Sequence, residues 1–185
     1  MNIKDMTDIV FDREMQRILS DVMFWAMRLD QIGEIKLTPT PVSYTDGSGQ
    51  QPFRLAIDLK EVWDYARGTG KRPEGMQDII QSLTELLWAP VGGTSYSIPS
   101  IWWDEPLGIM CRLAWARQAL DTGDNLTIEQ LSLLSGMSIP RIKQLCQTGK
   151  IPAVKVQQGR SNRKEWSIPA DAARAWLESR NNSRL

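Results

Sequence analysis

Between Leu126 and Gly149 the chain places two short helical patterns on either side of a single glycine, and this restricts its fold more than any other feature. Thr127 and Gln130 form a capping-box pattern ahead of a helix whose apolar face is Leu131 and Leu134. Gly136-Met137-Ser138 follows: a glycine for the turn, an apolar plug and a serine fit to cap the next helix. Pro140 stands early enough in that second helix to be tolerated. Ile142, Leu145 and Cys146 form its buried stripe and Gly149 ends it. Two short helices joined by a three-residue glycine turn are the signature of a helix-turn-helix.

After Gly149 the periodicity changes. Ile151-Pro152-Ala153-Val154-Lys155-Val156 alternates as a strand does, residues 157–164 form a polar, basic turn, and Glu165-Trp166-Ser167-Ile168 returns as a second strand. Pro169-Ala170-Asp171 then starts a helix in which Ala172, Ala175, Trp176 and Leu177 can pack back. A hairpin after the second helix makes the expected unit a winged helix-turn-helix. The stretches LTIEQLSLLSGMSIPRIKQLCQTGKIPAVKV and EWSIPADAARAWLESR resemble the excisionase and MerR-type winged helix-turn-helix family. The resemblance covers residues 126–180. It takes in the helix pair, the G-x-I-P-A-V-K-V entry to the wing, the W-x-I-P exit and the closing A-x-x-W-L helix. Ser135, where the family usually has an apolar residue, and a long wing tip depart from the pattern.

The resemblance implies that the second helix enters the major groove of DNA. Arg141, Lys143, Gln144 and Gln147 project away from the buried stripe, with Ser138 and Thr148 at the ends. Arg pairs with guanine edges and Gln with adenine, so Arg141 and Gln144 are the candidates for base readout. Lys143, Lys150 and Lys155 are candidates for phosphate contact. In the wing, Arg160, Arg163 and Lys164 are expected along the backbone or in the minor groove, a merely solvated hairpin tip being the alternative. Trp166 and Trp176 are expected to lock the wing to the helices.

Charge sharpens this division. The chain's 22 Lys+Arg and 22 Asp+Glu cancel, which taken alone argues against nucleic acid. Split at Asp124, residues 1–124 carry 12 basic and 18 acidic side chains, a net of −6, and residues 125–185 carry 10 and 4, a net of +6. Such asymmetry points to a basic nucleic-acid-binding module beside an acidic partner domain, a basic tail bound to the acidic half being the alternative that charge alone does not separate. There is no histidine, which excludes Ser-His-Asp and Cys-His catalysis and His-ligated metal within this chain. Cys111 and Cys146 lie in helical apolar patterns and are expected as buried free thiols. With no signal-peptide pattern at Met1–Asp5 and no long apolar run, a cytoplasmic protein is expected.

The acidic half resembles no named family. Phe11, Met15, Ile18, Val22, Trp25, Leu29 and Ile32 alternate spacings of four and three, a heptad seam. Leu19, Met23 and Ala26 widen the stripe, which favours packing into a core over a helical dimer seam. Period-two alternation flanks the Gly-rich turn 46–49, in Ile35, Leu37, Val42 and Tyr44 and again in Phe53, Leu55, Ile57 and Leu59. It predicts a β-hairpin, with Pro39 and Pro41 confining its first strand to an edge. Helices are expected from Leu59 to Gly68, from Pro73 to Pro90, and from the Asp104–Pro106 cap region to Leu120. Asp58, Glu61 and Asp64 could form a divalent-cation cluster, but the interleaved Lys60 and Arg67 favour a solvated ion-paired face. Six tryptophans lie here, more in keeping with core than with a flat-ligand pocket. Trp102 and Trp103 are adjacent, so one ring is expected to face a groove or a partner.

The expected fold is therefore mainly α, a helical N-terminal domain with one β-hairpin (1–124) followed by a basic winged helix-turn-helix (125–185). The expected function is sequence-specific binding of double-stranded DNA by a bacterial or phage transcriptional regulator, whose N-terminal domain is expected to form a homodimer that pairs half-sites, or to bind a protein partner. An excisionase-like or packaging architectural factor, and a protein-interaction adaptor or inhibitor on a winged scaffold, are the alternatives. No enzyme activity, cofactor or metal is expected.

Overall fold

The computed structural model describes residues 5–33, 54–89, 95–157 and 164–182, and within these it leaves aside the side chains of 25–27, 29–33, 164, 181 and 182. The described residues are mainly helical: α1 (Asp8–Gly33), α2 (Arg54–Arg67), α3 (Met76–Trp88), a 3-10 turn (Ser100–Asp104), α4 (Pro106–Thr122), α5 (Ile128–Ser135), α6 (Ile139–Gln147) and α7 (Ala170–Asn182). Strands β1 (Val154–Gln157) and β2 (Lys164–Ser167) pair antiparallel, with Lys155 opposite Trp166. Among the described residues no helix is long and apolar enough to cross a membrane.

Leu107, Gly108, Ile109, Met110 and Cys111 are all buried. A helix apolar all round has to be surrounded, and α4 is: it packs on α1 and α2, on α5 and on α7. The buried side chains fall into two clusters along it. The first joins Phe11, Met15 and Ile18 of α1 to Leu59, Val62 and Trp63 of α2, Leu83 of α3 and Leu113 of α4. The second joins Leu120 to Leu126, Leu131, Ile142, Leu145, Ile151, Ile168 and Ala173, and Leu134 packs against both. The first half of the α1 seam thus enters the core, with the Phe11 and Trp63 ring centroids 5.4 Å apart. The side chains of Trp25, Leu29 and Ile32 lie outside the description. Both cysteines are free and buried, and burial pushes the Cys111 thiol up to about 12.

Two expectations in the acidic half are corrected. Residues 54–59, expected as the second hairpin strand, are the first turns of α2. Ala56, Leu59, Val62, Trp63 and Ala66 are the buried face there, and Ile57 is 44% exposed. Alternation across the seven residues 53–59 is outweighed by a stripe that continues with helical period to Ala66. The first strand, with Pro39 and Pro41, lies outside the described residues. The helix expected from Pro73 begins at Met76, because Gly75 before it is left-handed (φ 64°). Two of the three α2 carboxylates face cations: Lys60 Nζ lies 2.7 Å from both Asp64 oxygens, and Arg54 lies 4.0 Å from Asp58.

Candidate nucleic-acid interface

The geometry starts at Thr127. Its Oγ1 accepts from the Gln130 N–H (3.1 Å) and its own N–H donates to Gln130 Oε1 (2.8 Å), so the capping box is closed and α5 begins where the sequence placed it. Gly136 ends α5 with φ 64°, a left-handed conformation open to glycine at little cost. Ser135 has a role at this turn: its hydroxyl lies 3.3 Å from both the Met137 N–H and the Ser132 carbonyl. Ser132 Oγ donates to the Met137 carbonyl (2.5 Å), and Arg180 of α7 donates to the Ser135 carbonyl (2.6 Å). A turn held by two hydroxyls and a guanidinium fixes how α6 leaves α5. Met137 is half-buried against the second cluster, in the place of the plug.

Ser138 stands at the N-cap of α6, but its side chain makes no capping bond; its carbonyl accepts from the Arg141 and Ile142 N–H groups. The expected hydroxyl cap is thus replaced by the backbone, and Ser138 is exposed. Ile142, Leu145 and Cys146 are buried, and burial raises the Cys146 thiol above its ordinary value. With that stripe inward, helical geometry puts Gln144 and Gln147 near the outward crest, Arg141 on one flank and Lys143 on the other. All four are exposed, as are Thr148 and Lys150. Arg141 Nη1 donates to Gln144 Oε1 at 2.6 Å.

On the Lys143 flank a groove of about 450 Å³ opens between α6, the start of α5 and the hairpin. Lys143, Lys155, Ile139, Glu129, Glu165 and Trp166 are among its lining residues. Lys155 lies over the Trp166 ring, 5.1 Å from its centroid. Trp166 and Trp176 are half-buried and pack against the second cluster. Lys143 and Lys155 thus meet at one groove, with Arg141 and Gln144 paired farther round the helix. Arg160 and Arg163 lie outside the described residues; Lys164 is placed by its backbone, opposite Gln157, and its side chain lies outside the description.

Three features that support this surface have no local signature in the sequence. Leu126 and Ile168 exchange backbone hydrogen bonds (2.8 and 2.9 Å), tying the segment before α5 to the end of the hairpin. Arg174 and Arg180, which stand in the sequence only as charge, donate to the carbonyls of Leu120 and Ser135 at the ends of α4 and α5. Cations over helix C-termini are a common cap, but their targets lie 54 and 45 positions away.

In the acidic half the adjacent tryptophans divide as expected: Trp102 is buried and Trp103 is half-exposed. Trp103 and Trp115 line a trough of about 450 Å³ with Tyr96, Ile98, Gln77 and Gln81. Among the described residues no three His, Cys, Asp or Glu side chains converge as a metal-binding group. No protein family, curated protein or solved structure matches the chain.

Proposed function

We propose that residues 126–180 form a winged helix-turn-helix that reads double-stranded DNA, in a transcriptional regulator whose acidic half dimerises or binds a partner. The observation that carries this reading is the outward face of α6. Arg141, Lys143, Gln144 and Gln147 are all exposed there, and no acidic residue occurs from Ile139 to Lys150. A face of cations and amides on the second helix of such a pair offers donors for base edges and charge for phosphate. The resemblance to the excisionase and MerR-type family supports the same reading from the residues alone.

One short recognition helix specifies few base pairs, so a homodimer that pairs two half-sites is the working assembly. Genomic footprinting of the tagged protein, with its mass in solution and its affinity across a salt series, tests the proposal. Affinity should fall by about 0.9 log units per decade of salt for each phosphate contact, giving a slope of about three to five per protomer. Footprints at promoters support regulation; DNA bending without promoter occupancy favours the architectural role.

Ile139 favours a second reading, because this apolar side chain is 45% exposed and lines the groove beside Lys143. A protein-binding adaptor would use it, and would show no affinity for any duplex even at low salt.

A further inference from the structure

Resting on the reading of α6 as the recognition helix, we infer that Arg141 and Gln144 act as one donor-only reader of adjacent acceptor-bearing bases, guanine followed by guanine or thymine. Gln144 does not read adenine while Arg141 stands beside it. This refines the simple pairing of Arg with guanine and Gln with adenine.

A guanidinium carries N–H donors and no acceptor, so the carboxamide atom 2.6 Å from Arg141 Nη1 has to be oxygen. The two residues are three positions apart on α6, where side chains are neighbours. No carboxylate occurs between Ile139 and Lys150 to draw the guanidinium away along the helix. Reading adenine requires Gln Oε1 to accept from the N6 amine while the amide nitrogen donates to N7. In this pair Oε1 already accepts from a cation, and a second donor would have to approach it beside a positive charge. The same polarisation strengthens the remaining amide hydrogens as donors. The pair therefore turns N–H groups outward, and both side chains are exposed to present them. In the major groove guanine offers two acceptors, N7 and O6, and thymine offers O4, whereas adenine sets a donor beside its N7. Arg141 can take a guanine bidentately, leaving Gln144 for an acceptor on the next base.

Selection from a randomised duplex library tests this, using the full chain as wild type, Arg141→Ala and Gln144→Ala. Competition anisotropy on duplexes that differ at one position then gives the ratios. Wild type should select guanine next to guanine or thymine, with adenine disfavoured by about tenfold at either position. Gln144→Ala should keep the guanine and lose the preference beside it. Arg141→Ala frees Oε1 and should raise adenine at that neighbouring position by about tenfold relative to wild type. A wild-type adenine preference that Gln144→Ala abolishes overturns the inference and leaves DNA reading intact. So does an Arg141→Ala protein with an unchanged preference, or none, at the neighbouring position. Absence of any sequence-selective duplex binding by wild type overturns both the inference and the reading beneath it. Both substitutions are on exposed positions, so melting temperatures within about 3 °C of wild type establish that the variants are folded.

Discussion

Arg174 Nη2 donates to the carbonyl oxygen of Leu120 at 2.7 Å, fastening α7 to the C-terminal end of α4. Leu120 also belongs to the core cluster that holds α6 and the hairpin. One hydrogen bond thus joins the last helix to the long helix that runs through both clusters.

Arg174→Ala removes that bond and leaves a helix-end carbonyl without its cation. The side chain is 44% exposed, so water replaces part of the interaction and the cost should be about 1 kcal/mol. A fall in melting temperature of about 2–4 °C is expected. Hydrogen exchange should quicken in α7 before α2, and equal quickening in both would count against a local fastening.

Gly108 lies where α4 meets the 3-10 turn. A Cβ built there would sit 2.1 Å from the Trp102 carbonyl oxygen and 2.7 Å from the Trp103 Cα, both backbone atoms. Gly108→Ala should therefore cost about 3 kcal/mol or more, because backbone rather than a flexible side chain has to move. The melting temperature should drop by about 6–12 °C, and tryptophan fluorescence should shift as Trp102 and Trp103 are displaced. An unchanged melt would show that the two segments are not so closely apposed.

Alkaline pH should weaken the fold. Burial, then the hydrogen bond donated to Asp121 Oδ2 (2.7 Å), hold the Tyr65 phenol well above its ordinary range. Burial raises Cys111 to about 12. Both groups are neutral when protonated and keep the proton more tightly when folded. Their contribution is complete below the unfolded values, about 9 for Cys and about 10 for Tyr, and is lost as pH rises toward the folded ones. Urea melts from pH 8 to 11 should lose about 1.4 kcal/mol per pH unit for each group once the unfolded form ionises. Tyr65→Phe should start less stable at pH 8 and decline less steeply above pH 10; an identical decline would remove Tyr65 from the account.

The helix pair was the most legible part of the chain because its determinants are local. Thr127 with Gln130, and Gly136 with its positive φ, act within a turn of where they stand. The start of α2 reads as a strand in the sequence because Phe53, Leu55, Ile57 and Leu59 alternate, and the last three also fit the first turns of a helix. Only their neighbours Ala56, Val62 and Trp63 show which face is buried. The Arg141–Gln144 bond was open to reading from a spacing of three on a helix, although Oε1's commitment needed the side-chain geometry. Arg174 and Arg180 were illegible in their roles, since nothing local to them names Leu120 or Ser135 as the acceptor.

The measurement that tests the central claim most directly is a pair of dissociation constants for Arg141→Glu against wild type, one on the selected duplex and one on a scrambled duplex of equal length. Both are taken at one stated salt concentration. Charge reversal at this proposed base-reading position should weaken the selected duplex at least about tenfold more than the scrambled one. Equal losses on the two duplexes, or no measurable affinity of wild type for either, would contradict the account.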